Sequence, residues 1–493
     1  MRRLPVFPDL RAFLAHAESR RDLARIAAPL SLRHEMTAVQ VQALRAGGPV
    51  LRFDHALQAD GARASMPVVA NLFGTRARVA AGLGLALDEV PAFGEFLAAL
   101  RSPAPLEGAR DALSRWPLLK AGLLTRPKLV RGGLQSEALA GLDTVPAQTP
   151  WPEDAGPLVT WPVVLTRPCG SAARDISSYN LGVYRLQILG PDRLILRWLP
   201  QRGGAAHARS WAEAGQPMPV VVALGADPAT LLAAALPLPE NVSELGFSGI
   251  LRGERAELAP AATVPMLAPA RAEMLIEGQV FPGETAMEGP FGDHTGYYNA
   301  AEPFPLLRVT AVRARPDPLY LSTVTGRPPD EPSVIGEVFN DLTLPLVRAQ
   351  IPEVLDLYLP PAACSYRLAV VRIRKRYPGQ ARRVMLALWS MLPQFSYTKM
   401  LVVVDDDIDA RDWDDVLWAM ATRMDPARDL LVLDGTPMDY LDFSSPREGL
   451  AGKLGLDATG KIGGETTRAW GRAMALDPAH QRRAAEILAG LCG

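Results

Sequence analysis

Residues 181–199 read LGVYRLQILGPDRLILRWL, and this stretch decides the fold class of the region around it. The Gly-Pro-Asp segment at 190–192 is typical of a tight turn, and apolar residues alternate with polar ones on both sides of it. The stretch therefore predicts an antiparallel β-hairpin whose two strands belong to a larger sheet.

The predicted hairpin brings two positive charges together. If Leu189 pairs with Arg193, then Arg185 lies opposite Arg197 on the neighbouring strand. Like charges in that position repel each other, so the pattern favours an anion, a phosphate or a carboxylate, between the two guanidinium groups. Two alternatives stay open: both arginines are solvated on an exposed sheet, or the register slips by one residue and separates them.

Strand-like segments dominate the chain from about residue 160 to residue 325, and turn residues separate them. Many short strands of this kind indicate an antiparallel barrel or sandwich. A helix is predicted at 226–235. The predicted strands are WPVVL, LGVYRLQILG, RLILRWL, MPVVVAL, EMLIEGQV, FPLLRVTAVRA and PLYLSTVTG.

The flanking regions have a different pattern. Residues 1–115 mix short apolar runs with helical spacing, which predicts a small α/β domain. Residues 116–325 form a connecting segment followed by the strand-rich region. In residues 326–493, strand signals alternate with helical ones, which predicts an α/β domain with a partly parallel sheet and a helical tail. Helices are expected at 8–20, 337–348, 383–392, 413–424 and 478–491.

Composition limits the classes of function. The chain has 493 residues, which implies about two to four domains, and its formal net charge of -1 gives no reason to expect a nucleic-acid partner. Three scattered cysteines, Cys169, Cys364 and Cys492, indicate a reducing compartment. The N-terminus lacks the apolar core of a secretory signal, and no apolar run is long enough to span a bilayer. A cytoplasmic protein is expected.

Residues 288–298 read EGPFGDHTGYY and carry the clearest chemical signal in the chain. Glu288 and Asp293 are five residues apart, which would place them on opposite faces of a regular strand. The intervening glycines and proline predict a turn that brings both carboxylates to one site. In a partly dry pocket, their pKa values can be pushed apart, which leaves one group protonated. The alternative is an acidic surface loop with capping roles.

A weaker signal follows the hairpin. In Gln201-Arg202-Gly203-Gly204, a basic residue precedes two glycines, whose backbone N–H groups can approach an oxyanion closely. Most Gly-Gly pairs are simply turns, and that alternative stays open here.

Taken together, these stretches resemble the UbiD family of prenylated-FMN-dependent decarboxylases, and within it the members of the ubiquinone pathway. The resemblance runs over nearly the whole chain. It implies an α/β N-terminal region, a split β-barrel (flavin-reductase-like) cofactor domain and an α/β C-terminal domain with an oligomerisation tail. The stretches that carry it are NLGVYR, RWLPQRGG, EGPFGDHTGYYN, TGRPPDEP, LPPAACSYRLAVV, YTK, DDDIDARDW, TRMDPARD, DYLDF and GLDATGK.

The resemblance also implies roles for individual residues. Arg185, Glu288 and Asp293 correspond to the catalytic set, with Asp293 as proton donor. Asn180 and Glu244 correspond to metal ligands. The cofactor contacts implied are Val183, Tyr184, Arg185, Arg197, Trp198, Leu199, Arg202, Gly203 and Lys399. Gln201 departs from the family pattern, because close relatives often carry histidine there, and the glutamine carbonyl offers an oxygen ligand for Mn2+ in its place.

The activity implied is the non-oxidative decarboxylation of 3-polyprenyl-4-hydroxybenzoate to 2-polyprenylphenol and CO2 in ubiquinone biosynthesis. Prenylated FMN would come from a flavin prenyltransferase and be held through Mn2+, with K+ alongside. A homo-oligomer, a dimer or a hexamer, is expected. The apolar and basic segment 115–131 predicts peripheral contact with the inner face of a membrane. The alternatives are a decarboxylase or carboxylase of another aromatic or acrylic acid, and a cofactor-free lipid-binding assembly subunit.

Overall fold

A computed structural model describes residues 3–101, 116–200, 202–236, 238, 242–391 and 393–491. Gln201 and Cys492, singled out above, lie outside these ranges. The helices are α1 Leu10–Ser19, α2 Glu35–Arg45, α3 Arg76–Gly82, α4 Val90–Arg101, α5 Trp116–Leu124, α6 Gly203–Glu213, α7 Pro228–Ala235, α8 Glu244–Arg252, α9 Glu331–Gln350, α10 Gln380–Met391, α11 Pro393–Ser396, α12 Trp413–Arg423 and α13 Pro478–Leu491.

The strands are short except for β16 and β17, which form a long hairpin. They are β1 Leu23–Ile26, β2 Leu30–Ser31, β3 Val50–Phe53, β4 Ala56–Leu57, β5 Val68–Ala70, β6 Lys128–Leu129, β7 Glu137–Leu139, β8 Leu158–Val159, β9 Pro162–Thr166, β10 Asn180–Gly182, β11 Leu186–Gly190, β12 Arg193–Leu196, β13 Met218–Leu224, β14 Glu257–Pro260, β15 Leu267–Pro269, β16 Met274–Glu288, β17 Glu302–Ala314, β18 Tyr320–Leu321, β19 Val354–Tyr358, β20 Leu368–Ile373, β21 Met400–Val404, β22 Leu430–Pro437 and β23 Leu450–Ala458.

The middle of the chain forms an antiparallel sheet, which confirms the mixed α+β class. Its strand order is β10-β9-β13-β16-β17-β12-β11-β8, with β7 also paired to β17. Within the described residues, this ladder has two free ends and does not close into a barrel. Alternate side chains of β9 and β13 enter two different hydrophobic clusters, one on each face of the sheet.

The hairpin at 181–199 differs from its prediction in two ways. Its first strand is interrupted at residues 183–185, because β10 pairs with β9 whereas β11 pairs with β12 and β8. The expected pairing of Leu189 with Arg193 is wrong, since Arg193 pairs with Gly190 and Leu189 is left in a bulge. The pairing of Leu186 with Leu196 nevertheless leaves the two arginines opposite each other, just beyond the ends of both strands.

The N-terminal region and the middle sheet share one hydrophobic core. Helix α1 begins where predicted, because the Asp9 side chain accepts a hydrogen bond from the backbone N–H of Ala12 at 2.9 Å. The ring of Phe73 packs edge-on against Trp161 of the middle region, with 5.8 Å between centroids. Strand β18 extends the N-terminal sheet, whose order is β1-β3-β5-β18.

The C-terminal region is an α/β unit, as predicted. Its sheet has the order β19-β20-β21-β23-β22, and β20, β21 and β23 are parallel. Helix α9 lies so close to α4 that a Cβ atom on Gly94 would be 2.8 Å from the carbonyl oxygen of Leu342. The tail helix α13 is solvent-exposed along its described length. Among the described residues, no helix has both the length and the apolar character needed to cross a membrane.

Candidate active site

Glu288 is the centre of the site. It is the last residue of β16, its side chain is fully buried, and it accepts hydrogen bonds from both arginines of the hairpin. Arg185 binds it through Nε at 2.7 Å and Nη2 at 3.1 Å, and Arg197 binds it through Nη1 at 2.6 Å. The anion expected between the arginines is therefore a carboxylate of the chain itself. A buried ion set of this kind is stable only when every charge is matched.

The loop at 289–301 places Asp293 next to the guanidinium of Arg185, which also binds Glu288. Arg185 donates through Nη1 to Oδ2 of Asp293 at 2.7 Å and through Nη2 to Oδ1 of Asn299 at 2.7 Å. The loop begins at Gly289, whose φ of 86° lies in the left-handed region that favours glycine. The turn thus brings Glu288 and Asp293 together on one side chain, as the glycine and proline pattern predicts.

The protonation of Asp293 is governed by its neighbours. Burial by itself would raise the pKa of Asp293, but the hydrogen bonds from His294 and the charge of Arg185 lower that pKa well below its usual range. Burial by itself would lower the pKa of His294, but the hydrogen bond and charge of Asp293, together with Asp439, raise it. This arrangement therefore favours the ionised form of Asp293 and the protonated form of His294.

Aromatic rings cover both arginines. The Arg197 guanidinium lies over the ring of Phe304, at 5.1 Å, and over the ring of Tyr440, at 5.4 Å. The Arg185 guanidinium lies over Phe291 at 5.2 Å. Burial and the nearby charge of Arg185 lower the pKa of Arg197. Because Tyr440 belongs to the C-terminal region, this region closes one side of the site.

The two predicted metal ligands are brought together by β10. Asn180 begins this strand, and Glu244, the first residue of α8, accepts a hydrogen bond from the backbone N–H of Leu181 at 3.1 Å. Burial raises the pKa of Glu244, which forms no ion pair within the described residues. No group of three or more His, Cys, Asp or Glu side chains in the described ranges is arranged to hold a metal.

The predicted cofactor contacts lie around Asn180. A Cβ atom on Gly203 would be 2.1 Å from Oδ1 of Asn180, so only glycine permits this close approach. Helix α6 begins at Gly203, and Arg202 is its N-cap, so the positive end of the helix lies beside Asn180. These features fit the phosphate of a flavin.

Aromatic side chains complete the cofactor segments. The rings of Tyr184 and Trp198 meet edge to face at 6.4 Å. The indole nitrogen of Trp198 is buried and has no hydrogen-bond partner among the described residues. Leu199 is partly buried beside Trp198, and Val183 packs on the hydrophobic cluster that contains Leu181. The residue set therefore fits a planar, phosphate-bearing cofactor.

Lys399 is placed differently from the other predicted contacts. Its ammonium group forms an ion pair with Asp442 at 3.0 Å and a hydrogen bond with Ser444. Arg367 lies 3.4 Å from the same Asp442 carboxylate. The charge of Lys399 is therefore engaged inside the C-terminal region.

Sequence reasoning missed the residues that join the loop at 289–301 to the C-terminal region. His294 contacts Asp293, and its Nε2 lies 3.9 Å from Oδ2 of Asp439 in the C-terminal region. The rings of Tyr297 and Phe443 meet 6.2 Å apart across the same boundary. The stretch DYLDF at 439–443 was among those that carry the family resemblance, but no local pattern in it shows which loop it contacts.

Comparisons with known proteins identify the family of the chain. Three domains described for 3-octaprenyl-4-hydroxybenzoate carboxy-lyase match the chain: the N-terminal domain over residues 14–97, the Rift-related domain over 130–328 and the C-terminal domain over 333–458. These are the three domains of the UbiD family, and together they cover most of the chain.

Solved structures give the same result. The UbiD-class enzyme HmfF from Pelotomaculum thermopropionicum, solved with FMN, is 29% identical over 96% of this chain and 98% of its own, with a TM-score of 0.78. An evolved dimeric form of HmfF, solved with prFMN, is 28% identical over 97% and 98% of the two chains, with a TM-score of 0.76. The vanillic acid decarboxylase of Sedimentibacter hydroxybenzoicus in its closed form is 22% identical over 98% and 99%, with a TM-score of 0.81, and shows the shared fold.

Proposed function

This chain belongs to the UbiD family of decarboxylases, and we propose that it is a carboxy-lyase that uses prenylated FMN to remove CO2 from an aromatic acid. The single observation that carries the proposal is the guanidinium of Arg185, which binds Glu288 and Asp293 at 2.7 Å each. That group stands next to the residues that fit the cofactor, because Tyr184 precedes it directly in the chain.

The chemistry requires an electron sink and a proton. Removing CO2 from an aromatic acid leaves an electron pair on a ring carbon, and prenylated FMN supplies the sink when it is bound. Arg185, fixed by Glu288 and Asn299, orients the substrate carboxylate. Asp293 delivers the proton to the ring carbon as general acid.

We propose that a divalent metal holds the cofactor phosphate. Asn180 and Glu244 offer oxygen ligands, which suit Mn2+, and K+ is proposed alongside it. Arg202, Gly203 and the start of α6 would hold the cofactor phosphate, and the ring system would lie among Val183, Tyr184, Arg197, Trp198 and Leu199. Lys399 is proposed at the phosphate side, which would require it to leave Asp442.

The proposed substrate is 3-polyprenyl-4-hydroxybenzoate, which would give 2-polyprenylphenol in ubiquinone biosynthesis. The activity named by the three matching domains supports this choice. An apolar cavity of about 300 Å³ between α6 and β16 shares Trp198 with the cofactor segment, and it offers space for part of an isoprenoid chain. The exposed side chains of Met287, Tyr297 and Phe443 extend the apolar surface near the loop.

Partners are proposed from the exposed apolar surfaces. Ile487 and Leu488 are exposed on α13, and this tail is proposed to join subunits into a dimer or hexamer. Trp116 and Leu123 are exposed on α5, where peripheral membrane contact is proposed.

A flavin prenyltransferase is proposed as the supplier of the cofactor. The division at residues 115 and 325 is retained as the proposed domain organisation.

Two measurements test the function. The protein is co-expressed with a flavin prenyltransferase, and its absorption spectrum and metal content are recorded after purification. CO2 release is then measured with a short-chain 3-prenyl-4-hydroxybenzoate, with vanillate and with an acrylic acid. We expect a coloured, metal-containing protein that favours the prenylated substrate. A colourless, metal-free protein would instead support a lipid-binding subunit, and preference for vanillate would replace the proposed substrate.

A further inference from the structure

The Asp293 carboxylate is surrounded by hydrogen-bond donors. Its Oδ2 accepts from Nη1 of Arg185 at 2.7 Å, and its Oδ1 accepts from the backbone N–H of His294 at 2.7 Å. The Nδ1 atom of the His294 ring lies 2.8 Å from the same Oδ1. A general acid has to hold a proton before it can release one, and this surrounding favours the charged form of the carboxylate.

Of these three partners, only the imidazole of His294 can change from donating a hydrogen bond to accepting one. A guanidinium and a backbone N–H donate hydrogen bonds and cannot accept them, whereas an imidazole nitrogen does either according to its protonation. A proton can therefore reside on Oδ1 of Asp293 when Nδ1 of His294 accepts from it, or on Nδ1 when Asp293 is ionised. The contact between these two atoms is the place where Asp293 can be recharged with a proton.

We propose that His294 is the proton reservoir that reloads Asp293 in every turnover, and that Asp439 is a positioning residue that holds His294 in this role. The inference rests on the proposed function and extends it to the source of the proton. It also gives the C-terminal region a part in the chemistry, because Asp439 is the only member of the trio that lies outside the 288–298 loop.

The proton balance is simple. In the reloading step, the N–H bond at Nδ1 of His294 breaks and an O–H bond forms at Oδ1 of Asp293. The O–H proton then passes to the substrate carbon, which holds the electron pair left by the broken bond to CO2. The neutral imidazole takes a proton from solvent, with which its ring is in contact, since 21% of the side chain is exposed. One carboxylate and one proton thus give one neutral product and one CO2.

Several charges act on the His294 ring. Asp293 and Asp439 favour the imidazolium, and Arg367 opposes it. The carboxylate of Asp330, at the start of α9, is also close enough to interact electrostatically with His294. The balance depends on Asp439, because this residue faces Nε2, the ring nitrogen that Asp293 does not contact.

Asp439 is itself held in place. Its Oδ2 accepts a hydrogen bond from the hydroxyl of Tyr366 at 2.9 Å and lies 3.4 Å from Nη2 of Arg367. Both partners belong to the C-terminal region. The position of that region relative to the loop therefore sets the charge that His294 experiences.

The first test uses the cofactor-free protein, so its result does not depend on activity. The chain has six histidines, and the His294 resonances in a spectrum of 15N-histidine-labelled protein are identified by their loss in His294→Gln. Titration should give a pKa for His294 that falls by about one unit, a tenfold change in proton affinity, in Asp439→Asn. The matched control Asp434→Asn, at an exposed position of β22, should leave the titration unchanged. An equal pKa in wild type and Asp439→Asn overturns the role of Asp439.

The second test uses the protein loaded with cofactor. His294→Ala should lose at least tenfold in kcat with little change in KM, and added imidazole should restore part of the loss. The decline of wild-type kcat at high pH should disappear in His294→Gln. Full activity of both variants, or a loss that imidazole does not relieve, overturns the role of His294. A wild-type protein that is inactive on every aromatic acid, with the titration result intact, overturns the proposed function instead.

Discussion

Arg185 donates hydrogen bonds to both carboxylate oxygens of Glu288, and Arg197 donates to Oε2 of the same group, so one buried carboxylate holds two like charges together. The hairpin alone places these arginines opposite each other, and β16 delivers the carboxylate between them. Because Arg185 also binds Asp293, the two acids of the site are fixed relative to each other by one rigid, planar group.

Replacing Glu288 with Gln should destabilise the protein strongly. The amide removes the negative charge that the two guanidinium groups share: Arg185 keeps Asp293, whereas Arg197 is left with Glu302, which is 3.9 Å away. Breaking a buried ion set in this way costs about 3–5 kcal/mol. Chemical denaturation followed by circular dichroism measures the change. The control Glu284→Gln removes a more exposed pair with Arg308, which we expect to contribute at most about 1 kcal/mol. Equal stability of the two variants would show that Glu288 is not needed to balance the arginines.

Asp293→Asn should retain the cofactor and lose turnover. The amide preserves the shape of the loop and a partner for Arg185, but it has no acidic proton to give, so kcat should fall by at least about a hundredfold. Flavin absorbance and CO2 release are measured on the same sample, with Asp434→Asn as the exposed control. CO2 release close to that of the wild type would refute the proton-donor role.

Glu244→Ala should weaken the retention of metal and flavin together. Glu244 is a buried carboxylate without an ion-pair partner in the described part of the chain, and such a group is unfavourable unless a cation joins it. Metal content and flavin absorbance are compared after dialysis. Glu254→Ala, an exposed position just beyond the other end of α8, serves as the control. Unchanged metal content in Glu244→Ala would contradict the ligand role.

The ion pair of His294 and Asp293 should make stability depend on pH. The pKa of Asp293 is lowered, so its contribution is present above about pH 4 and is lost as the pH falls toward the folded-state pKa. The pKa of His294 is raised, so its contribution is complete below about pH 6.5 and is lost as the pH rises through the folded-state pKa. Both contributions are present between these limits.

We therefore expect the stability difference between wild type and His294→Gln to be largest near pH 5–6 and to shrink toward pH 9, by about 1 kcal/mol. Urea denaturation at the two pH values measures it. A difference that is constant with pH would mean that the pair is not ionised in the folded protein.

The sequence predicted the local elements well where a short-range signal existed. The helix predicted at 8–20 corresponds to α1, and the predicted helices at 413–424 and 478–491 correspond to α12 and α13 within a residue. The single strand expected across 181–190 was wrong, because residues 183–185 leave the ladder where the chain changes partner strands. Alternation of side chains does not reveal such a change, since it looks the same for either partner.

By itself, the sequence determined the order of the elements, the family to which the chain belongs and the types of side chain available to the site. These properties depend on residues that are neighbours in the chain, through capping, alternation and turn formation. Tertiary structure alone decided which group neutralises which charge. Glu288 comes to Arg185 from 103 residues away, and Asp439 comes to His294 from another region of the chain, because packing of distant elements sets these contacts and no local pattern encodes them.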